Sequence, residues 1–352
     1  MEKNSLPHSS KNRVDWVDYA KGICIFAVVT FYSSGYVEET MHASGWMHHA
    51  VDFAQPFRMP DFFMLSGLFI PQVINRPWRS YLNTKVVHFF YFYALWATIK
   101  FVLVDLGSQL GSGPYQIFLN YLYLFIQPEN HLWFIYILPL FFIAARLTKS
   151  WPTVVVIAIA IAIKLFDLNT GWKMIDRFGL YFVFFYSGYI FSPYLFRIAG
   201  WARTHVRETL AILAAWSIAN MILVSLKINW IPAGHLVMGH AGALAVLLLS
   251  VVFSRMQSMR WLAYLGEHSI VAYLAFVVPL FILRKLLIKY QPNLDIGTLS
   301  LSFGVLSILS AFIIYWSVRN TPLRFLFERP RWASIASSQK LPLKVDVGDV
   351  GP

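Results

Sequence analysis

The sequence predicts an all-α, polytopic membrane protein with about ten transmembrane helices. Composition is the first reason. Of 352 residues, 58% are hydrophobic and only 13% are charged, whereas a soluble domain is about 45–50% apolar and about 25% charged. Patterning is the second. The apolar residues fall in blocks close to the length a helix needs to cross a roughly 30 Å hydrocarbon core, and the charges fall between the blocks.

Taken in order, the chain begins with a polar segment, 1–14, that lacks the short apolar core and small-residue site of a cleavable signal. The first span is therefore expected to stay in the protein. Ten spans follow at about 18–36, 57–75, 86–105, 132–147, 153–167, 178–194, 208–226, 236–254, 267–284 and 298–319. Residues 114–127 are apolar but short, which fits a re-entrant or interfacial segment. The loops on one side carry Arg76, Arg79 and Lys85, then Arg146 and Lys149, then Arg197, Arg203 and Arg207, then Arg255 and Arg260. The opposite side carries Glu38, Glu39, Asp52, Asp105, Glu129, Asp167 and Asp176. Basic loops face the cytoplasm, so both termini are expected there, with Arg284, Lys285 and Lys289 as the exception on the outside. Residues 15–320 form one membrane domain, and 321–352 form a cytoplasmic tail expected to be largely disordered. No internal repeat stands out, and no loop has room for a soluble domain.

Several function classes fall away. The net charge of +12 does not indicate a nucleic-acid partner, because the basic residues flank spans rather than share one face. The single cysteine, Cys24, lies inside the first span and has no intrachain disulfide partner; it reads as a small buried hydrophobe. His48 and His49 are adjacent, so on a helix they diverge by about 100° and make poor co-ligands. No metal site is expected. There is also no Gly-x-Ser-x-Gly elbow and no phosphate-binding glycine loop.

The chemistry-bearing residues are Asp18, Lys21 and Tyr32. Residues eleven apart on a helix are rotated by about 20° and separated by roughly 16 Å, so Lys21 and Tyr32 share a face, with Asp18 one turn earlier. Polar groups along a lipid-embedded helix usually face a partner or a cavity. In the second span, Arg58 and Asp61 are spaced to offset each other's charge, and Ser66-Gly67 offers a close-contact surface, as does Ser187-Gly188 in the sixth. Arg76 and Arg79 present two guanidinium groups suited to phosphate. His131 opens a span beside stacked aromatics and reads as interface packing, and Glu267 or His268 as a helix cap.

These motifs resemble the acyltransferase 3 family of integral-membrane acyltransferases. The resemblance covers roughly residues 13–320. It rests on Asp15-Trp-Val-Asp18-Tyr-Ala-Lys21-Gly, Arg58-Met-Pro-Asp-Phe-Phe-Met-Leu-Ser-Gly67, Asn75-Arg76-Pro-Trp-Arg79, Leu132-Trp-Phe-Ile-Tyr136 and Tyr264-Leu-Gly-Glu-His-Ser269. It implies about ten helices and transfer of an acyl group, often acetyl, from cytoplasmic acyl-CoA to a hydroxyl of a lipid-linked or exported glycan. No cofactor is bound beyond the acyl-CoA donor, and the setting implied is a bacterial inner membrane. Lys21 matches the family's basic residue, and Arg76 and Arg79 match its donor-binding pair.

One departure stands out. Ten residues separate Lys21 from Tyr32, where the family has a histidine. Histidine titrates near neutrality and can deprotonate an acceptor hydroxyl; tyrosine, with a pKa near 10, is ionised in about one molecule in a thousand at pH 7. Tyr32 is then a proton donor or positioning group. His48, or His49, supplies the base, Ser33 offers only a hydroxyl, or the chain has lost acyl transfer and serves in lipid or glycan translocation or in a membrane complex. An unrelated transporter is disfavoured, since paired interrupted spans in matching halves are missing.

Overall fold

The computed structural model describes residues 14–109, 111–128, 131–290 and 294–335, and all regular structure among them is helical. The expected tail residues 336–352 and the segment 1–13 lie outside the described residues. Helix α1 (Asp15–Met41) is the axis of the bundle. Its buried residues run from Trp16 to Val37 on every side, because α3 (Arg58–Gly67), α11 (Pro232–Phe253), α12 (Arg260–Glu267) and α15 (Ile296–Val318) all pack on it. The short α2 (Met47–Ala54) caps its far end.

Outside this centre stand α4 (Trp78–Asp105), α5 (Pro114–Ile126), α6 (Trp133–Ser150), α7 (Thr153–Phe166), α8 (Lys173–Ile190), α9 (Ser192–Thr204) and α10 (Val206–Ser225). Helices α13 (Ser269–Ala275) and α14 (Val277–Tyr290) meet at a bend of 42°. The exposed surface of α10, with Leu210, Ile212, Ile218, Met221 and Ile222, suits lipid.

Among the described residues, the length and apolar character needed to cross a membrane are met by six helices (α1, α4, α6, α10, α11 and α15), or seven when α13 and α14 count as one bent span. About ten were expected. The apolar block at 57–75 yields only the ten-residue α3, followed by a run of turns. Helix α7 has 14 residues, about 21 Å of rise against a core of roughly 30 Å. Helix α8 carries Lys173, Asp176 and Arg177 in its first two turns. Helix α5 buries none of its residues, and the hydroxyls of Tyr93 and Tyr136 hold the carbonyls of Leu124 and Phe125 near its end.

Close approach without side chains fixes the central contacts. A methyl group on Gly188 would run into the Met64 carbonyl, and one on Gly67 would run into that of Phe185. The two Ser-Gly pairs therefore pack α3 and α8 against each other, backbone to backbone. A methyl on Gly266 would strike the Asp18 carbonyl in the same way, which seats α12 on α1.

The basic residue that departs from the expected loop pattern has a partner. Arg284 on α14 pairs with Glu39 at 3.2 Å and lies 5.1 Å over the Tyr36 ring, so its charge is neutralised at the Met41 end of α1. Residues 322–335, assigned by sequence to a disordered tail, instead fold onto α4. Trp96 Nε1 donates to the Leu326 carbonyl at 2.8 Å, Tyr91 Oη to Phe325 at 3.0 Å, and Arg329 to the Asn83 carbonyl at 2.6 Å.

Two outcomes follow. Gly188→Val should separate α3 from α8 and lower stability by about 1–3 kcal/mol or more, read as a lower melting midpoint in detergent. At the start of α15, Asp295 accepts from the Thr298 N–H at 2.7 Å and its hydroxyl at 2.8 Å, and these bonds hold the carboxyl below its ordinary range. A depressed folded value means the cap stabilises fully above the unfolded pKa near 3.9 and is lost as pH falls through the folded value. Asp295→Ala should therefore lower the midpoint at pH 7 and lose that effect well below about pH 4, as a pH series of melting curves would show.

Candidate active site

Lys21 stands on α1 with its Nζ 3.9 Å from Asp18 Oδ1, as the one-turn spacing requires. It opens onto a cavity of about 250 Å³. Phe62 and Ser66 of α3, Lys85 of α4, Phe134 and Leu138 of α6, and Ser269 and Tyr273 of α13 complete the walls. The walls are thus apolar, with two lysines, two serines and one tyrosine as their polar groups. Lys85 lies in a π-helical stretch, Asn83–Val87, and its ammonium sits 4.8 Å over the Phe142 ring of the same cavity. Such stretches frequently mark functional sites, since the widened turn re-aims a side chain.

Around this end the cations gather. The charges of Arg76 and Lys21 both reach the Lys85 ammonium. The Arg76 carbonyl accepts from Arg146 at 2.6 Å, and the Arg146 guanidinium lies 5.1 Å over Trp78 and 5.3 Å over Tyr81. Arg79 turns elsewhere: its Nε donates to the Ile335 carbonyl at 2.5 Å, on the folded-back C-terminal segment. The structure thus joins Lys21 and Arg76 with Lys85 and Arg146, while Arg79 stands on the exposed outer edge.

Tyr32 lies at the other end of the α1 face, half-buried. Its ring is 5.6 Å from Phe276 and 6.3 Å, edge-on, from His131. Tyr273, a wall of the cavity, donates its hydroxyl to the His131 carbonyl and so ties the two regions together. The Arg58 guanidinium lies 3.8 Å over Phe31, the neighbour of Tyr32. The expected Arg58–Asp61 pair does not form. Asp61 faces inward on α3 and accepts from the Cys24 thiol at 2.7 Å, whereas Arg58, the first residue of that helix, reaches sideways over the ring. Cys24 is buried, as its position implied, but it acts as a donor as well as a filler.

His48 is placed apart from this group. At the α1–α2 corner, its Nδ1 lies 3.0 Å from Glu38 and its Nε2 3.4 Å from Asp52, and its ring neighbour is His49. Ser33 spends its hydroxyl on the Thr30 carbonyl at 3.1 Å. Two residues of the site escaped sequence reasoning. Lys85 was read as a loop charge, although its apolar surroundings, Thr84 and Val86-Val87, were a signal that it sits within a helix. His131 was read as packing, and only the fold brings it to Tyr32.

These features define an integral membrane protein with a largely apolar cavity, marked by a few polar groups, inside a helical bundle. The chain belongs to the acyltransferase domain family, the acyltransferase 3 group, whose profile matches residues 14–318. It is also similar to the inner membrane protein YcfT of Escherichia coli (strain K12), at 24% identity over 160 residues covering 39% of this chain. The match spans 44% of that relative's length. No solved structure matches the chain.

The Cys24–Asp61 bond is testable by itself. Cys24→Ala leaves a buried carboxyl without its partner and should cost about 1–3 kcal/mol, whereas Cys24→Ser, which keeps a donor, should recover most of the melting midpoint.

Proposed function

We propose that the protein is an integral-membrane O-acyltransferase that moves an acyl group, acetyl in the first case, from cytoplasmic acyl-CoA to a hydroxyl of a glycan or lipid-linked acceptor. The observation that carries this reading is the cavity that starts between Lys21 and Lys85 and ends at Tyr273, whose hydroxyl holds His131, the ring neighbour of Tyr32. At about 250 Å³ it lies below the roughly 300–1,000 Å³ of sites that enclose a whole ligand. It suits the thioester arm of a donor whose nucleotide stays outside. The phosphates would then meet Arg76 and Arg79 at the rim, with Lys85 and Arg146 behind them, since guanidinium and ammonium groups favour phosphate oxygens.

In this arrangement Lys21, oriented by Asp18, flanks the donor arm. Tyr32 offers its hydroxyl as a hydrogen-bond donor to the thioester carbonyl as that oxygen gains negative charge, a contribution that grows in a water-poor site. The orientation that puts the basic end and both termini in the cytoplasm agrees with where acyl-CoA is made, and the inner-membrane relative supports the same setting. The acceptor would arrive from the Tyr32 end.

Tyrosine at position 32 also favours a second reading, a catalytically impaired relative acting in lipid or glycan translocation or within a membrane complex. The two part in one experiment. Membranes containing the protein are incubated with radiolabelled acetyl-CoA, and lipids and glycans are extracted from wild-type and deletion strains. Label that appears only with the protein supports transfer. No label, with a knockout phenotype still rescued by Lys21→Ala, supports the second reading. For the donor site, Arg76→Ala and Lys85→Ala should each weaken acetyl-CoA binding about tenfold, or about 1.4 kcal/mol, in a detergent-solubilised assay; unchanged binding in both removes the donor role of this rim.

A further inference from the structure

We infer that His131 is the general base that removes the proton from the acceptor hydroxyl, in place of the histidine missing from the first helix. This rests on the acyl-transfer reading above.

His131 is 6% exposed, and neither of its ring nitrogens finds a hydrogen-bond partner among the described residues. Leaving a buried donor or acceptor unpaired costs about 1–3 kcal/mol, so two on one imidazole call for an explanation. The other histidines with a role in packing differ. His240 bonds Ser187 and the Leu236 carbonyl, His48 sits between two carboxylates, and of the His235 nitrogens Nδ1 alone is both fully buried and unpartnered. Among the described residues, His131 alone has both nitrogens buried and unspent.

Its surroundings suit a base. Tyr273 fixes its backbone carbonyl, and the rings of Tyr32 and Phe276, at 6.3 and 5.2 Å, hold the imidazole from two sides. The titratable and charged groups that face it are Tyr32 on α1, Tyr273 on α13 and Lys100 on α4, and the last is held 2.7 Å from Asp105. No carboxylate is among them, and burial together with the Lys100 charge pushes the imidazole down to about 3, so the ring is neutral at pH 7.

The step then balances. The free His131 nitrogen takes the proton of the acceptor hydroxyl as that oxygen bonds to the thioester carbon. The carbonyl oxygen becomes negative and accepts from the Tyr32 hydroxyl. Collapse breaks the carbon–sulfur bond, and the leaving thiolate takes the proton back from the imidazolium to give free CoA thiol.

The test uses the full-length protein in membranes of the deletion strain, with radiolabelled acetyl-CoA and the acceptors those membranes hold. His131→Asn should lower transfer about 10²–10⁴-fold, with acetyl-CoA binding and melting midpoint unchanged. Adding Tyr32→His to His131→Asn should restore part of the rate. Transfer by His131→Asn within about threefold of the unaltered protein overturns the proposal while leaving acyl transfer standing. If both His131→Asn and His131→Gln unfold, the ring is structural and the proposal falls. An unaltered protein that transfers no label removes the reaction itself, and this proposal with it.

Discussion

The bilayer supplies no water to backbone or side-chain polar groups, so a helix that carries Asp18, Lys21, Thr30, Tyr32 and Ser33 must be wrapped in protein. That constraint organises everything around α1. Small residues make the wrapping possible. Gly266 brings α12 down onto the backbone at Asp18, and the Gly67–Gly188 contact closes α8 over α3. Polar atoms inside are then paired locally: Thr30 and Ser33 return their hydroxyls to carbonyls within their own helix, and Cys24 serves Asp61. Lys21 and Tyr32 are left to the cavity and the aromatic cluster at its end.

The two ends of the α1 face differ in chemistry, and the difference follows from which helices arrive there. At the Lys21 end, α4 and α6 bring Lys85 and Arg146, and the turns after α3 bring Arg76, so positive charge accumulates without a matching set of acids. At the Tyr32 end, α6, α8 and α13 bring rings. Trp133 and Tyr181 lie 5.5 Å apart, the Arg177 guanidinium sits 4.5 Å over Trp133, and Tyr273 and Phe276 close on His131. One end is thus rich in cations, and the other is lined by aromatic rings with Arg58 and Arg177 over two of them.

Much of this was legible in the residues, but unevenly. The Asp18/Lys21/Tyr32 stripe, the two Ser-Gly contact surfaces and the burial of Cys24 depend on helical spacing, which a sequence displays directly. The helical class and the family followed from apolar blocks and from motifs at their borders. Long-range partners were not legible. Arg58 and Asp61 looked like a pair by spacing, yet α1 supplied a thiol to one and a ring to the other. His131 is about a hundred residues from Tyr32 in sequence and meets it only through the fold. Span counting is uneven for a related reason: the apolar residues of α3 are mostly buried against other helices, while α7 is apolar and largely exposed yet only 14 residues long.

The widened turn at Asn83–Val87 has an evolutionary corollary. Each residue advances a regular helix by about 100°, so an extra residue absorbed in one turn offsets the phase of all that follows. Losing one residue from this turn would restore ordinary winding and swing Lys85 off the cavity wall. Length changes here are therefore a route by which a related chain could reshape this cavity without substituting any of its residues.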